Sequence, residues 1–132
     1  TDPENHEKMV LLRQEKVDRV AFDIPDVEPY GDADADTLVI GWGGTFGHIH
    51  EAVDDLRAAG KKVAMAISLP KNTGEVLARY KHVVVAELNL GQFADFLQAK
   101  FPNVLIRRIN KVQGQPFLVQ ELVDGVTKIM EE

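Results

Sequence analysis

The chain has 132 residues, of which 45% are apolar and 27% are charged, and it contains no cysteine. These values predict one globular domain with a sizeable core. They exclude disulfides, thiolate nucleophiles and cysteine-ligated metal or iron–sulfur sites within this segment. The net charge of −6 argues against a nucleic-acid backbone or an acidic membrane surface as the main partner.

The first residues predict a helix that leads into a domain. Asp2-Pro3 is typical of a helix start, and apolar residues spaced by sevens follow at Val10, Val17 and Ile24. We interpret residues 1–24 as an N-terminal helix and lead-in, and residues 25–132 as a single α/β domain. Because Thr1 is not an initiator methionine, we expect a segment cut from a longer polypeptide. We also expect a cytoplasmic location, with which the absence of cysteine is compatible.

The next stretch, Asp23–Asp36, carries six acidic residues, two prolines and no basic residue. This composition predicts a connector whose acids are solvated surface. A short strand is expected at Val27–Tyr30, where the flanking prolines confine it to the edge of a sheet.

From Thr37 onward, the pattern alternates between strands and helices. Runs rich in β-branched residues predict strands at Thr37–Gly41, Lys62–Ala66, His82–Glu87 and Val104–Ile109. Helical patterns lie at Thr45–Ala59, Asn72–Tyr80, Gly91–Phe101 and Pro116–Met130. Continuous apolar strands separated by helices indicate a parallel sheet covered on both faces, and so a three-layer α/β domain.

The first strand–turn–helix unit, TLVIGWGGTFGHIHEAV, invites comparison with dinucleotide-binding turns. Their fingerprint is G-x-G-x-x-G followed by an acid at the end of the second strand. Here Phe46 occupies the third glycine position, and the second strand ends in VAMAIS without a carboxylate. The turn is therefore interpreted as a tight corner with Thr45 as the N-cap of the helix.

No complete catalytic or metal-binding motif is present in the sequence. Ser68 is the only serine, so a nucleophile elbow is absent, and there is no phosphate-binding G-x-x-x-x-G-K-[ST]. His48 and His50 fall on different faces of a helix, which disfavours joint metal binding. The basic cluster Arg107, Arg108 and Lys111 is predicted to be sheet-end charges, with an anchor for acidic groups of a neighbouring subunit as the alternative.

Four stretches together resemble the C-terminal domain of the α subunit of 2-oxoacid:ferredoxin (acceptor) oxidoreductases, of the 2-oxoglutarate-specific kind. In chain order they are DPENHEKMVLLRQEKVDRVA, VIGWGGTFGHIHEAV, VVVAELNLGQF and NKVQGQPF. The resemblance extends over nearly the whole chain, and AELNLGQ with a downstream GQPF is its most specific part.

This resemblance implies a transketolase C-terminal-like fold, a five-stranded, mostly parallel mixed sheet whose first strand is antiparallel to the others. The parent enzymes convert a 2-oxoacid and coenzyme A to an acyl-CoA and carbon dioxide with thiamine diphosphate, magnesium and an iron–sulfur cluster. Ferredoxin accepts the electrons. The resemblance further implies that this domain binds none of these cofactors and supports the assembly of the subunit with its N-terminal domains and the β subunit. We therefore expect the segment alone to be inactive.

One departure from the family concerns the loop after the second strand. Members usually carry an extra stretch there, whereas here Ala66 runs directly into Ile67. Either the loop is shortened, or residues are missing and the two Cα atoms lie well beyond the ~3.8 Å of a trans peptide.

Two other functions remain open from the residues alone. A small-molecule or anion-binding module would use the carboxyl edge of the sheet and bring together Gly43, Gly44, Thr45, Glu87 and Asn89. The anion would bind at the backbone amides of Gly43, Gly44 and Thr45, at the start of the predicted Thr45–Ala59 helix. The other is a pure interaction domain without any ligand. A long apolar patch around Trp42, Phe46 and Leu90 would favour the subunit interpretation, whereas a deep pocket with convergent polar groups would favour the binding module.

The segment ELNLGQ carries one further expectation. Asn89 is predicted to cap the helix that follows, so that Asn89→Ala costs about 1 kcal/mol of stability. The competing hypothesis is that Glu87 and Asn89 face a partner domain.

Overall fold

The computed structural model describes residues 29–41, 45–66, 73–88, 92–111 and 117–132. In this part of the chain, strands alternate with helices. The strands are β1 (Tyr30–Gly31), β2 (Thr37–Gly41), β3 (Val63–Ala66), β4 (His82–Glu87) and β5 (Ile106–Asn110). The helices are α1 (Phe46–Ala58), α2 (Thr73–Ala78), α3 (Gln92–Lys100) and α4 (Val119–Met130).

The strands form one mixed sheet in the order β1-β3-β2-β4-β5. Strands β2 to β5 are parallel, and β1 alone pairs in the antiparallel direction, against β3. Parallel neighbours need a crossover connection, and α1, α2 and α3 occupy those connections. The predicted three-layer fold with an antiparallel first strand is confirmed.

Helices cover both faces of the sheet, which explains why the central strands are apolar throughout. Alternate residues of each strand point to opposite faces. On one face Val39, Met65 and Val84 pack in a core with α1 and α4. On the other face Leu38 and Val83 pack in a second core with α2 and α3.

Strand β5 begins at Ile106, two residues later than the predicted Val104. The side chain of Gln98 in α3 explains the difference. Its amide donates to the carbonyl oxygen of Val104 at 2.7 Å and accepts from the amide of Ile106 at 3.0 Å. These backbone groups are therefore bound to a helix side chain instead of a strand ladder, which a local apolar pattern cannot reveal.

Strand β1 was predicted at Val27–Tyr30 and is found at Tyr30–Gly31. Residues 27 and 28 lie outside the described part of the chain. The strand pairs Tyr30 with Met65, and the phenol of Tyr30 donates to Asp54 Oδ1 of α1 at 2.8 Å. A two-residue strand is thus held by side-chain contacts to α1 as well as by its backbone.

The prediction that the acids of the connector are solvated surface is wrong for Asp32. Its Oδ2 accepts from the amide of Val63 and from Nε of Arg57, both at 3.3 Å. Asp34 forms an ion pair with Lys62. The acids pair because the connector runs along the start of β3 and the end of α1, and this proximity exists only in the folded chain.

The boundary predicted between residues 24 and 25 falls outside the described residues, as does the predicted N-terminal helix. Ile67 is outside them as well, so the distance from Ala66 to Ile67 stays a prediction. No helix in the described segments has the length and apolar character needed to cross a membrane.

Gly31 provides a test of how tightly β1 is held. Its φ is +123°, and a Cβ there would lie 2.4 Å from the backbone oxygen of Val63. Backbone cannot move aside as a side chain end can, so we expect Gly31→Ala to lower the free energy of unfolding by about 2 kcal/mol in urea denaturation.

Gly47→Ala is the matched control, because a Cβ at this position in α1 meets nothing within 4 Å. Helix propensity predicts that it raises the free energy of unfolding by roughly 0.5–1 kcal/mol. Equal effects of the two substitutions would contradict the close contact at Gly31.

Candidate functional site

The residues predicted to form a site belong to the edge of the sheet where the parallel strands end. Of the five, the structure describes Thr45 and Glu87, whereas Gly43, Gly44 and Asn89 are outside the described residues. Thr45 directly precedes α1 and Glu87 is the last residue of β4. Both side chains are buried.

The corner between β2 and α1 is a close approach of helix and strand. A Cβ on Gly41 would lie 2.3 Å from Cδ1 of Ile49 and 3.2 Å from Oγ1 of Thr45. Glycine at the end of β2 therefore allows the first turn of α1 to pack directly on the strand. Thr45 is the N-cap of α1, as predicted, and its side chain makes no capping hydrogen bond.

Glu87 caps the N-terminus of α3, a role that the sequence analysis missed. Its carboxylate accepts from the amides of Phe93 and Ala94, each at 3.1 Å, and the residue is 1% exposed. A carboxylate at this position satisfies two amides that have no partner within the helix and also faces the positive end of the helix dipole. Asn89 lies outside the described residues, so its predicted capping of the same helix stays a prediction.

Thr45 and Glu87 lie on opposite faces of the sheet. Thr45 is next to Gly41 and Ile49, on the face covered by α1 and α4, whereas Glu87 reaches α3 on the other face. Strands β2 and β4 are neighbours, and open α/β sheets form their ligand crevice where the helices after two adjacent strands leave to opposite faces. The crevice predicted from the five residues stays a prediction, because Gly43, Gly44 and Asn89 lie outside the described residues.

The basic cluster is paired inside the chain. Arg107 donates to Glu132 at 2.7 Å, Arg108 lies 2.5 Å from Asp95, and Lys111 lies 2.5 Å from Glu121.

These pairs join the last strand to α3, to α4 and to the end of the chain. They support the interpretation as sheet-end charges. The alternative, an anchor for a neighbouring subunit, is not needed to explain the cluster.

A second acid organises the start of α4. Glu121 accepts from the amide of Leu118 at 3.1 Å and from Nζ of Lys111 at 2.5 Å. These two hydrogen bonds, first that from Lys111, lower the pKa of the Glu121 carboxyl below its usual value. Acids therefore fix the N-termini of both α3 and α4 at the same edge of the sheet.

His50, one of the two histidines of α1, contacts side chains of β1 and of its own helix. His50 stacks on Tyr30 with the ring centroids 4.5 Å apart, and its Nδ1 lies 3.3 Å from Asp54 Oδ2. Within the described residues, no three histidines or carboxylates are grouped so that they could hold a metal ion. Of the predicted apolar patch, only Phe46 is described, and it is 44% exposed.

Comparison with known proteins finds relatives of similar sequence. No protein-family model matches the chain. It is 45% identical over 129 residues to 2-oxoglutarate oxidoreductase subunit KorA of Mycobacterium tuberculosis, covering 92% of the chain and 19% of the relative. It is 34% identical over 141 residues to 2-oxoacid:ferredoxin oxidoreductase 1, subunit alpha, of Aeropyrum pernix, covering 98% of the chain and 22% of the relative.

A solved structure shares the fold as well. The 2-oxoglutarate:ferredoxin oxidoreductase from Magnetococcus marinus, with 2-oxoglutarate, coenzyme A and succinyl-CoA bound, superposes with a TM-score of 0.73 at 29% identity. The match covers 98% of this chain and 24% of that one. The resemblance predicted from the sequence is confirmed, and the chain spans about a fifth of the length of the relatives it matches.

Glu87→Gln tests the buried helix cap. Glutamine keeps the shape but replaces one acceptor oxygen with an NH2 group that faces an amide donor. We expect the free energy of unfolding to fall by about 2 kcal/mol, the range for hydrogen bonds to a charged group. Glu51→Gln, at an exposed position of α1, should change it by no more than about 0.5 kcal/mol. A similar loss in both variants would contradict the cap.

The Lys111–Glu121 pair predicts a pH effect with a definite sign. Because the pKa of folded Glu121 is lowered from 4.5, its contribution to stability is complete above that pH and is lost as the pH falls through the folded pKa. In Lys111→Gln we expect the pKa of Glu121, followed by carboxyl NMR, to rise toward its usual value. Arg107→Gln should leave it unchanged, and a rise there too would contradict a specific pair.

Proposed function

We propose that the chain is a structural and assembly domain of the α subunit of a 2-oxoglutarate:ferredoxin (acceptor) oxidoreductase. The parent reaction would convert 2-oxoglutarate and coenzyme A to an acyl-CoA and carbon dioxide, with ferredoxin as the electron acceptor. In this proposal, the chain positions other parts of the enzyme and carries no chemical step itself.

The observation that carries this proposal is the extent of the similarity. Between 92% and 98% of the chain aligns with one fifth of α subunits, at up to 45% identity. The same stretch has a counterpart of the same fold within a larger oxidoreductase chain. A segment that matches from end to end in this way is best explained as one domain of such a subunit.

The donor groups of the chain fit this division of labour. An iron–sulfur cluster is held by cysteine thiolates, and this sequence has no cysteine. Magnesium bound to a diphosphate needs carboxylate or carbonyl oxygens, and two acids of the described residues at the carboxyl edge, Glu87 and Glu121, are bound to helix amides. We therefore assign thiamine diphosphate, magnesium, the iron–sulfur cluster and coenzyme A to other parts of the parent enzyme.

The contacts of the described residues suit a rigid support. Glu87 fixes α3 to the central strand, Gly41 brings α1 onto β2, and Tyr30 fastens the edge strand to α1. In the proposed enzyme, this support would contact the N-terminal domains of its own subunit and the β subunit. We propose a cytoplasmic enzyme with ferredoxin as a partner of the complex.

The alternative, a free-standing small-molecule or anion-binding module, ranks second. It depends on Gly43, Gly44 and Asn89, together with Thr45 and Glu87. Of these residues, Glu87 already has its carboxylate bound to α3. An anion at the start of α1 therefore stays a prediction that rests on the glycine turn alone.

A chimera tests the proposed function. The segment of the M. tuberculosis subunit that matches this chain is replaced by the chain, and the product is co-produced with the other subunit of that enzyme. We expect assembly and 2-oxoglutarate-dependent, coenzyme A-dependent reduction of a dye, whereas the 132-residue chain alone should give no turnover above a heat-killed control.

The subunit with the segment deleted is the matched control, and we expect it not to assemble. Two results would refute the proposal: turnover by the chain alone, or a deleted subunit that assembles and works as well as the chimera.

A further inference from the structure

The exposed apolar side chains are concentrated at one edge of the sheet. Among the described residues, the large apolar side chains that are exposed are Tyr30, Phe46, Leu88, Leu105 and Leu118. Phe46 opens α1, Leu88 follows β4 directly, and Leu118 directly precedes α4. Parallel strands end, and the helices after them begin, at the carboxyl edge, so these three residues share it.

Tyr30 extends the same surface. It pairs with Met65, near the carboxyl end of β3, and its ring stacks on His50. The ring of His50 in turn meets that of Phe46, with the centroids 5.9 Å apart. Tyr30 and Phe46 are therefore linked through one imidazole.

The opposite edge is different in character. Leu105, which precedes β5, is the exposed large apolar residue found there among the described residues. The ion pairs Lys62–Asp34 and Arg107–Glu132 lie at this opposite edge as well, next to the starts of β3 and β5. Single exposed leucines are ordinary on protein surfaces, whereas several at one edge indicate an interaction surface.

The direction of β1 shows at which edge the chain enters the sheet. Because β1 is antiparallel to β3 and Tyr30 lies opposite Met65, the chain that precedes Tyr30 enters the sheet at the carboxyl edge. In the relatives, about four fifths of the polypeptide lies outside the matched segment. A preceding domain would thus be joined, through residues 1–29, to the edge that carries Tyr30 and Phe46.

We propose that the carboxyl edge, formed by Tyr30, Phe46, Leu88 and Leu118, is the surface on which an apolar face of the preceding domain of the same subunit docks. This inference rests on the proposed function. It adds to that function the surface through which the domain would contact the rest of its subunit. Leu118 is the residue most exposed on this surface, at 63%.

Thiol labelling tests the docking directly, because the chain has no cysteine of its own. Leu118→Cys and Leu105→Cys form a matched pair: the leucines are 63% and 72% exposed, and each directly precedes a helix or strand. Labelling rates are measured by mass spectrometry of the peptides that carry the new thiol, in the chimera and in the 132-residue chain alone.

In the assembled chimera, we expect the thiol at position 118 to react at least about tenfold more slowly than in the chain alone, as a desolvated contact would give. Leu88→Cys should be protected likewise. The thiol at position 105 should react at a similar rate in both proteins, which excludes a general effect of the larger polypeptide.

Two other outcomes would contradict the docking surface, and they differ in what they say about the proposed function. If the chimera assembles but positions 118 and 105 label equally fast, the docking surface is wrong and the proposed function stands. If the chimera behaves like the deleted subunit, the proposed function is wrong as well.

If position 118 is already protected in the chain alone, the occupant is different. Loss of that protection on dilution would indicate a second copy. Its loss on removal of residues 1–24 would indicate the lead-in. Either result would overturn docking of a preceding domain.

Discussion

The complete burial of the two central strands is the constraint on which the rest of the structure depends. Every residue of β2 and β4 is buried. Apolar side chains on both faces of a sheet must be covered on both faces, so two helices are required on each side. Each of these helices follows a parallel strand and therefore starts at the carboxyl edge. The first amides of a helix have no hydrogen-bond partner within it, so unpaired amides are brought together at this edge.

Acidic side chains accept hydrogen bonds from some of these amides. Glu87 at the end of β4 accepts two amides of α3, and Glu121 in the first turn of α4 accepts the amide of Leu118. The chain thus uses its own carboxylates where a ligand-binding α/β domain would leave helix N-termini open to an anion. This use of the acids at α3 and α4 agrees with a supporting role.

The edge strand connects this support to whatever precedes it. Strand β1 has two residues, yet it is fastened by Tyr30 to Asp54 and followed by Asp32, which holds both Arg57 and the amide of Val63. A strand so short would hold poorly by its ladder alone. Side-chain contacts with α1 therefore hold β1 and the residues after it firmly against the rest of the domain.

The sequence by itself determined the α/β alternation, the three layers and the family resemblance, because these follow from local apolar periods and from short motifs. Only the tertiary structure decided the roles of Glu87, Gln98 and Asp32, whose partners lie on other elements or follow a turn. It also decided that Thr45 and Glu87 are on opposite faces of the sheet. Pairings of this kind depend on how elements pack, and no local pattern records which side chain meets which helix end.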